Sequence, residues 1–282
     1  MRPVGTGQPA TREEARQSIR CIAILSATAS ELRPVQRSLG IAGKPREGEN
    51  YCAGSYKGVT VITAITDAGL AAAERATEAL FARFGDTIDH VFVVGRAGAY
   101  DLRLKIGEVV IPEAVVDQRD GIARTPVNLS ARAPSGVIYS SDKHGFDDEY
   151  IDDLNNNSVS VVDMESGAIA TVCHRYGCPL TVVRAVSDQV DLLAESRDVY
   201  QLAGLSDYGS ALRFALQRPR RIAYLVTTLL GVKKAISASS RELLRNIESL
   251  LQQACSTEKP VKVDVRGNAR TEASLLARTG ES

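Results

Sequence analysis

The sequence predicts an α/β protein, a sheet flanked by helices, on three observations. The first is the stretch from Ser158 to Asp191. It opens with a short β-branched run, Val159 to Val162, followed by the acidic residues Asp163 and Glu165 with Met164 between them. An apolar stripe at helical spacing comes next, formed by Ile169, Val172, Cys173 and Tyr176. Gly177 stops that helix and Pro179 prevents its return. A second apolar run, Leu180 to Val186, then ends in Ser187-Asp188. The second observation is that two earlier apolar runs, Ile22–Leu25 and Val59–Ile65, also lead through small-residue turns into helices. The third is the pair Tyr51–Tyr56 and Val59–Ile65, separated by Lys57-Gly58, which reads as a hairpin. Each strand–helix unit carries an acidic residue near its strand exit, where open α/β sheets bind ligands.

Taken in order, residues 1–19 mix Gly, Pro, Thr and charge and read as a disordered N-terminal arm. Ile22–Leu25 is a buried strand, and Ser26 to Glu31 turns into a helix from Leu32 to Leu39, with Ser and Thr available as caps. After the hairpin, Thr66-Asp67-Ala68-Gly69 leads into an Ala-rich helix that runs to about Phe84. Val91–Val94 is a buried strand, and Gly95-Arg96-Ala97-Gly98-Ala99 reads as the loop after it, whose glycines let backbone N–H groups approach a ligand. Residues 117–136 are irregular, Val137–Ser140 is a strand, and Ser141 to Phe146 is a loop. Beyond Asp191, residues 197–254 read as two or three helices divided by Pro219. The stretch from Ala211 to Lys234 is both basic and amphipathic, which suits a lipid surface or packing on the domain or a second subunit. Residues 256–282 are polar and charged and read as a disordered tail.

VVDMESGAIA followed by VVRAVSD resembles the signature of the purine nucleoside phosphorylase/nucleosidase superfamily, within it most nearly the 5′-methylthioadenosine/S-adenosylhomocysteine nucleosidases, and the likeness runs from about Cys21 to Asp191. The resemblance implies a three-layer nucleoside phosphorylase-like fold with a central mixed β-sheet, spanning residues 20–206; the C-terminal helical extension read over 207–255 departs from the nucleosidases, which finish with one helix soon after the Ser-Asp motif. It implies hydrolysis of the N-glycosidic bond of an adenine nucleoside with a 5′ substituent. Phosphorolysis and a non-catalytic nucleoside or nucleotide sensor are the alternatives.

In those terms Asp188 protonates the departing purine and Ser187 orients it. Glu165 accepts from the ribose hydroxyls, Met164 packs on the sugar, and Glu31 activates water. The same resemblance assigns Gly95 and Gly98 to the turn near the ligand and Asp142 and His144 to purine recognition. Only the last residue of the family's acidic triplet is present, as Glu31; Ala29 and Ser30 replace the others. Arg96 stands where the family has a small or hydroxyl residue, and its fork suits phosphate or another anion. Arg184, four residues before Asp188 on a strand, is expected on the same face, to fix a carboxylate or close an ion pair. The tail resembles that of the hopanoid-associated phosphorylase branch, which acts on adenosyl-lipid substrates.

The bulk numbers fit an ordinary globular protein. The 282 residues are 44% hydrophobic and 24% charged, with 34 basic and 34 acidic side chains. That balance speaks against nucleic acid as a partner. Five Cys without close pairing spacings and three His point to free thiols, a reducing compartment and no metal site. With no apolar signal core and no run of membrane-spanning length, the expectation is a cytoplasmic homo-oligomer. It takes a small-molecule nucleoside or nucleotide, with phosphate as co-substrate in the phosphorolytic alternative, and needs no cofactor.

Overall fold

The computed structural model describes residues 19–41, 49–143, 148–189 and 219–257. Ten strands and five α-helices alternate along this part of the chain: β1 (Cys21–Ser26), α1 (Ala29–Ser38), β2 (Tyr51–Tyr56), β3 (Val59–Ile65), α2 (Leu70–Phe84), β4 (His90–Ala99), β5 (Val109–Val110), β6 (Ala114–Asp117), β7 (Ala123–Arg124), β8 (Val137–Ser140), α3 (Asp148–Asn156), β9 (Val159–Asp163), α4 (Ser166–Arg175), β10 (Leu180–Gln189) and α5 (Pro219–Thr257). The strands form one mixed sheet in the order β2-β3-β1-β4-β9-β8-β6-β7, with β10 branching from β4 and carrying β5. β1, β3, β4 and β10 run parallel, so their carboxyl ends share one edge.

Strict alternation along the central strands divides the interior into two cores. Cys21, Ala23, Leu25, Val91 and Val93 face α2 and α4, packing with Leu70, Ala73, Leu80, Phe81, Ile169 and Val172. Ile22, Ile24, Phe92 and Val94 face the other way, onto Leu32 and Val35 of α1 and Leu243, Ile247 and Leu250 of α5. Helices therefore cover both faces, as a parallel-rich sheet requires.

One departure from the sequence reading concerns element limits. Glycine-rich residues 95–99 continue β4 rather than forming a loop, because β10 pairs with them up to Gln189↔Ala99. In the described residues the C-terminal region is one helix of 39 residues beginning at Pro219. Proline is tolerated at a first helical position, where its missing N–H has no partner to lose, and no later proline falls within the helix. From Ala235 onward that helix belongs to the domain core, with Ala235, Leu243 and Ile247 fully buried. No helix among the described residues is long and apolar enough to cross a membrane. Residues 1–18 of the arm, 258–282 of the tail, His144, and the side chains of residues 211–229 in the basic stretch lie outside the described residues.

Candidate active site

At the carboxyl end of β1 the chain enters α1 through a capping box. Thr28 is the N-cap; its side chain accepts from the Glu31 N–H, and the Glu31 carboxylate returns to the Thr28 N–H. The helix thus begins three residues before Leu32, where the sequence reading put it. Glu31 is buried, and Oε2 accepts from Ser26 Oγ at 3.3 Å, Thr28 N at 3.1 Å and Thr28 Oγ1 at 2.8 Å. Oε1 points across to β4 and accepts the Arg96 N–H at 3.1 Å. The capping role and the site role therefore use different oxygens of one carboxylate.

β4 brings Gly95 and Arg96 beside Glu31. A Cβ at Gly95 would stand 2.2 Å from Arg184 Nη1 and 3.0 Å from Glu31 Oε1, so only glycine lets the guanidinium and the carboxylate meet over this backbone. The Arg96 side chain is 42% exposed and its Nε lies 3.6 Å from Glu31 Oε1, a loose ion pair at the rim of the site.

Arg184 is the largest fully buried side chain of the protein's described residues. Its Nη2 pairs with Asp163 Oδ2 at 2.7 Å and Glu165 Oε2 at 3.1 Å, and Nε donates to Ser166 Oγ at 3.1 Å. Nη1, the nitrogen against Gly95, is buried without a hydrogen-bond partner. Asp163 is the residue that sequence reasoning left without a role. It accepts from the Ser140 and Ser166 hydroxyls and from the Glu165 and Ser166 N–H groups, so it satisfies amides at the start of α4 as well as anchoring Arg184. Its signal was present in the sequence: Asp163 and Glu165, two apart, flank Met164 at a strand exit.

Burial pushes the Glu165 carboxyl up, to about 7; Arg184 pulls it down, the Asp163 and Glu31 charges push it up again, and the Gly69 amide opposes them. Gly69 opens α2 without a side-chain cap. That duty falls to Asp142, whose Oδ1 accepts the Leu70 N–H at 2.8 Å. Asp142 is exposed and engaged with the helix start, a structural use that the purine role implied by the resemblance did not include.

The end of β10 is arranged differently from what its sequence spacing implies. The register shifts between Val186 and Asp188, so Arg184 pairs with Gly95 while Asp188 pairs with Gly98. Ser187 is the extra residue of this bulge, and it breaks the alternation that would have put Arg184 and Asp188 on one face. Ser187 is buried; its hydroxyl donates to Asp188 Oδ1 and lies 3.4 Å from the Ala97 carbonyl oxygen. Asp188 and Met164 are half-buried. Gly98 joins the two halves of the site, since it also pairs with Val162 of β9.

These buried carboxylates, with one guanidinium among them, lie at the carboxyl edge of a mixed sheet flanked by helices, the architecture of the nucleoside phosphorylase/nucleosidase fold. Residues 21–135 and 125–206 match the family described as the phosphorylase superfamily, and the chain belongs to that superfamily. A 5′-methylthioadenosine/S-adenosylhomocysteine nucleosidase of Lysinibacillus sphaericus is 27% identical over 198 residues, 59% of this chain and 85% of the relative. Futalosine hydrolase of Helicobacter pylori superposes with a TM-score of 0.63 at 20% identity, over 82% of this chain and 98% of that one. The 5′-methylthioadenosine/S-adenosylhomocysteine nucleosidase of Helicobacter pylori, crystallised with a pyrrolopyrimidine-bearing pyrrolidinol, also gives 0.63 at 20% identity, over 82% of this chain and 99% of that one.

Proposed function

We propose that the protein is a nucleosidase that hydrolyses the N-glycosidic bond of an adenine nucleoside carrying a 5′ substituent. The observation that carries this reading is the buried cluster of Glu31, Arg184 and Glu165, in which one guanidinium nitrogen is left unpaired. An unmade buried donor costs free energy, and a bound water or hydroxyl at Nη1 offsets that cost. Glu31 then holds the attacking water, Glu165 receives the ribose hydroxyls and steadies the cationic sugar, and Met164 packs on the ring. Asp188, held by Ser187, gives its proton to the leaving purine. Gly95 and Gly98 keep the strand open to the ligand, and Asp142 is assigned to the base side. The named activities of the relatives support a nucleosidase, and the free thiols of Cys21, Cys173 and Cys178 support a reducing, cytoplasmic setting.

Phosphorolysis is the second reading, and Arg96 is what favours it. Hydrolysis is preferred because Glu31 already meets the charge of Arg96 at 3.6 Å, and the same carboxylate repels a phosphate at close range. The deciding experiment supplies 5′-methylthioadenosine, S-adenosylhomocysteine and futalosine separately, with and without phosphate. Free base and free reducing sugar without phosphate are expected from one of them. Strict dependence on phosphate, with a sugar 1-phosphate as product, would overturn the hydrolytic reading. Release of no base from any nucleoside would favour a sensor. A second copy of the chain, and a lipid surface for residues 211–234, complete the proposed partners.

The Glu165 carboxyl gives this reading a pH signature. Its ordinary value near 4.5 is raised to about 7, so the ionised form that steadies a cation is lost as pH falls through about 7. We expect kcat/KM to fall on the acid side of that value, and Glu165→Gln to abolish this limb while lowering the plateau. An unchanged acid limb in the variant would remove Glu165 from the ionisation that matters.

A further inference from the structure

Helix α5 passes over the end of β10 with no side chain between them. A Cβ on Gly231 would lie 2.2 Å from the Ser187 carbonyl oxygen and 3.2 Å from Ile106 Cγ2. One turn along, Ala235 and Ala238 pack on Ala185 of the same strand, with Val109 beside them. The turn before β5 is tied to the same place. The Gly107 N–H donates to the Val186 carbonyl at 2.7 Å, and the Val186 N–H donates to the Glu108 carbonyl at 2.9 Å. The stem of Lys234 lies on Gly107, where a Cβ would come 2.6 Å from its Cγ and Cε. From the far side, Gln189 Nε2 donates to the Leu102 and Leu104 carbonyls at 3.1 and 3.0 Å.

All these contacts surround the register shift at Val186/Asp188. A bulge re-aims side chains, but its extra residue has no ladder partner to hold it. Here the holding group is the helix. The Ser187 carbonyl and the Asp188 Cα belong to one planar peptide unit, so pushing the carbonyl tilts that plane and moves the carboxylate.

We propose that α5 is a clamp on this bulge, with Gly231 as a positioning residue for the proton donor Asp188. The proposal rests on the reading of Asp188 as that donor. Two of the three layers meet here with backbone against backbone, so the aim of Asp188 depends on a residue 43 positions further along the chain.

The test uses the full chain with Gly231→Ala and Gly231→Val, Lys234→Ala as a variant that removes cover instead of adding bulk, and Leu230→Ala as a control on the exposed side of the helix. Adenine release from 5′-methylthioadenosine is measured per active site, sites being counted by titration with a tight nucleoside-analogue inhibitor, alongside KM and the melting temperature. For Gly231→Ala we expect per-site kcat to fall about 10- to 100-fold, the scale of an ~1 Å misplacement, with KM moved by less than about twofold. Gly231→Val loses more, Lys234→Ala loses less in the same direction, and Leu230→Ala matches the parent. A merely structural role would lower the active fraction and melting temperature while per-site kcat stayed at the parent value, and that outcome overturns the clamp. Asp188→Asn is run in parallel. If it keeps full turnover, the donor assignment fails and takes the clamp with it; if it is crippled while the Gly231 variants turn over normally, the clamp alone fails.

Discussion

Asp188→Asn is expected to retain the fold and lose about 10²- to 10⁴-fold in turnover, the usual contribution of a general acid. A purine leaves the sugar as a neutral base only if a proton arrives as the bond breaks. Asn is the same size and can still accept from Ser187 Oγ, which donates to Asp188 Oδ1 in the parent, but its amide cannot deliver that proton. The loss should fall on kcat, with substrate binding near the parent level, because the interaction develops only in the transition state. Steady-state kinetics on the nucleoside that the parent hydrolyses, with circular dichroism to verify the fold, reads this directly. Turnover at the parent rate would mean that Asp188 carries no proton in the rate-limiting step.

Arg184→Met should show the largest stability effect. Met fills much of the volume, so the change is chiefly electrostatic: Asp163 and Glu165 are left buried with no cation between them. Breaking a buried pair in this way costs about 3–5 kcal/mol. Urea unfolding at neutral pH should show a loss of that order. The sign with pH follows from the carboxyls left behind. Without Arg184 the Glu165 carboxyl, already raised to about 7, rises further above its unfolded value, so the folded variant takes up a proton that the unfolded chain does not. Lowering the pH toward 5 should therefore narrow the gap to the parent. A loss under about 1 kcal/mol, constant with pH, would indicate that this cluster is solvated rather than buried.

What could be read from the residues was the part controlled by neighbours in the chain. The run from Val159 to Val162 and the stripe from Ile169 to Tyr176 give the β9–α4 unit, because a strand or a helix displays its own period whatever it packs against. The capping signal Thr28-x-x-Glu31 was also in view, although Ser26 and Ser30 offer rival caps and the helix start was placed late. Glu31 and Glu165 were singled out by the family resemblance, and Arg184 by its place on a strand four residues before Asp188. Their meeting was not legible, because Glu31 and Arg184 are 153 positions apart and come together only through β4.

The sequence by itself determined the α/β class, the superfamily and the identity of the charged groups, since each depends on local period or on a contiguous motif. Only the tertiary structure decided how those groups face one another. Residues 95–99 look like a loop in isolation, because glycine is a poor strand former, yet β10 supplies the hydrogen-bond ladder that makes them strand. The alternation from Arg184 to Asp188 predicts one shared face, yet pairing with β4 forces a bulge at Ser187 and reverses that phase. A helix read as an extension fills the second core, because the exposed face of β1 and β4 needs an apolar cover that the chain up to β10 supplies only in part, through α1. Pairing partners, bulges and covering helices are long-range choices: each lowers the free energy through contacts whose two halves lie far apart in the chain, and no window of sequence contains both.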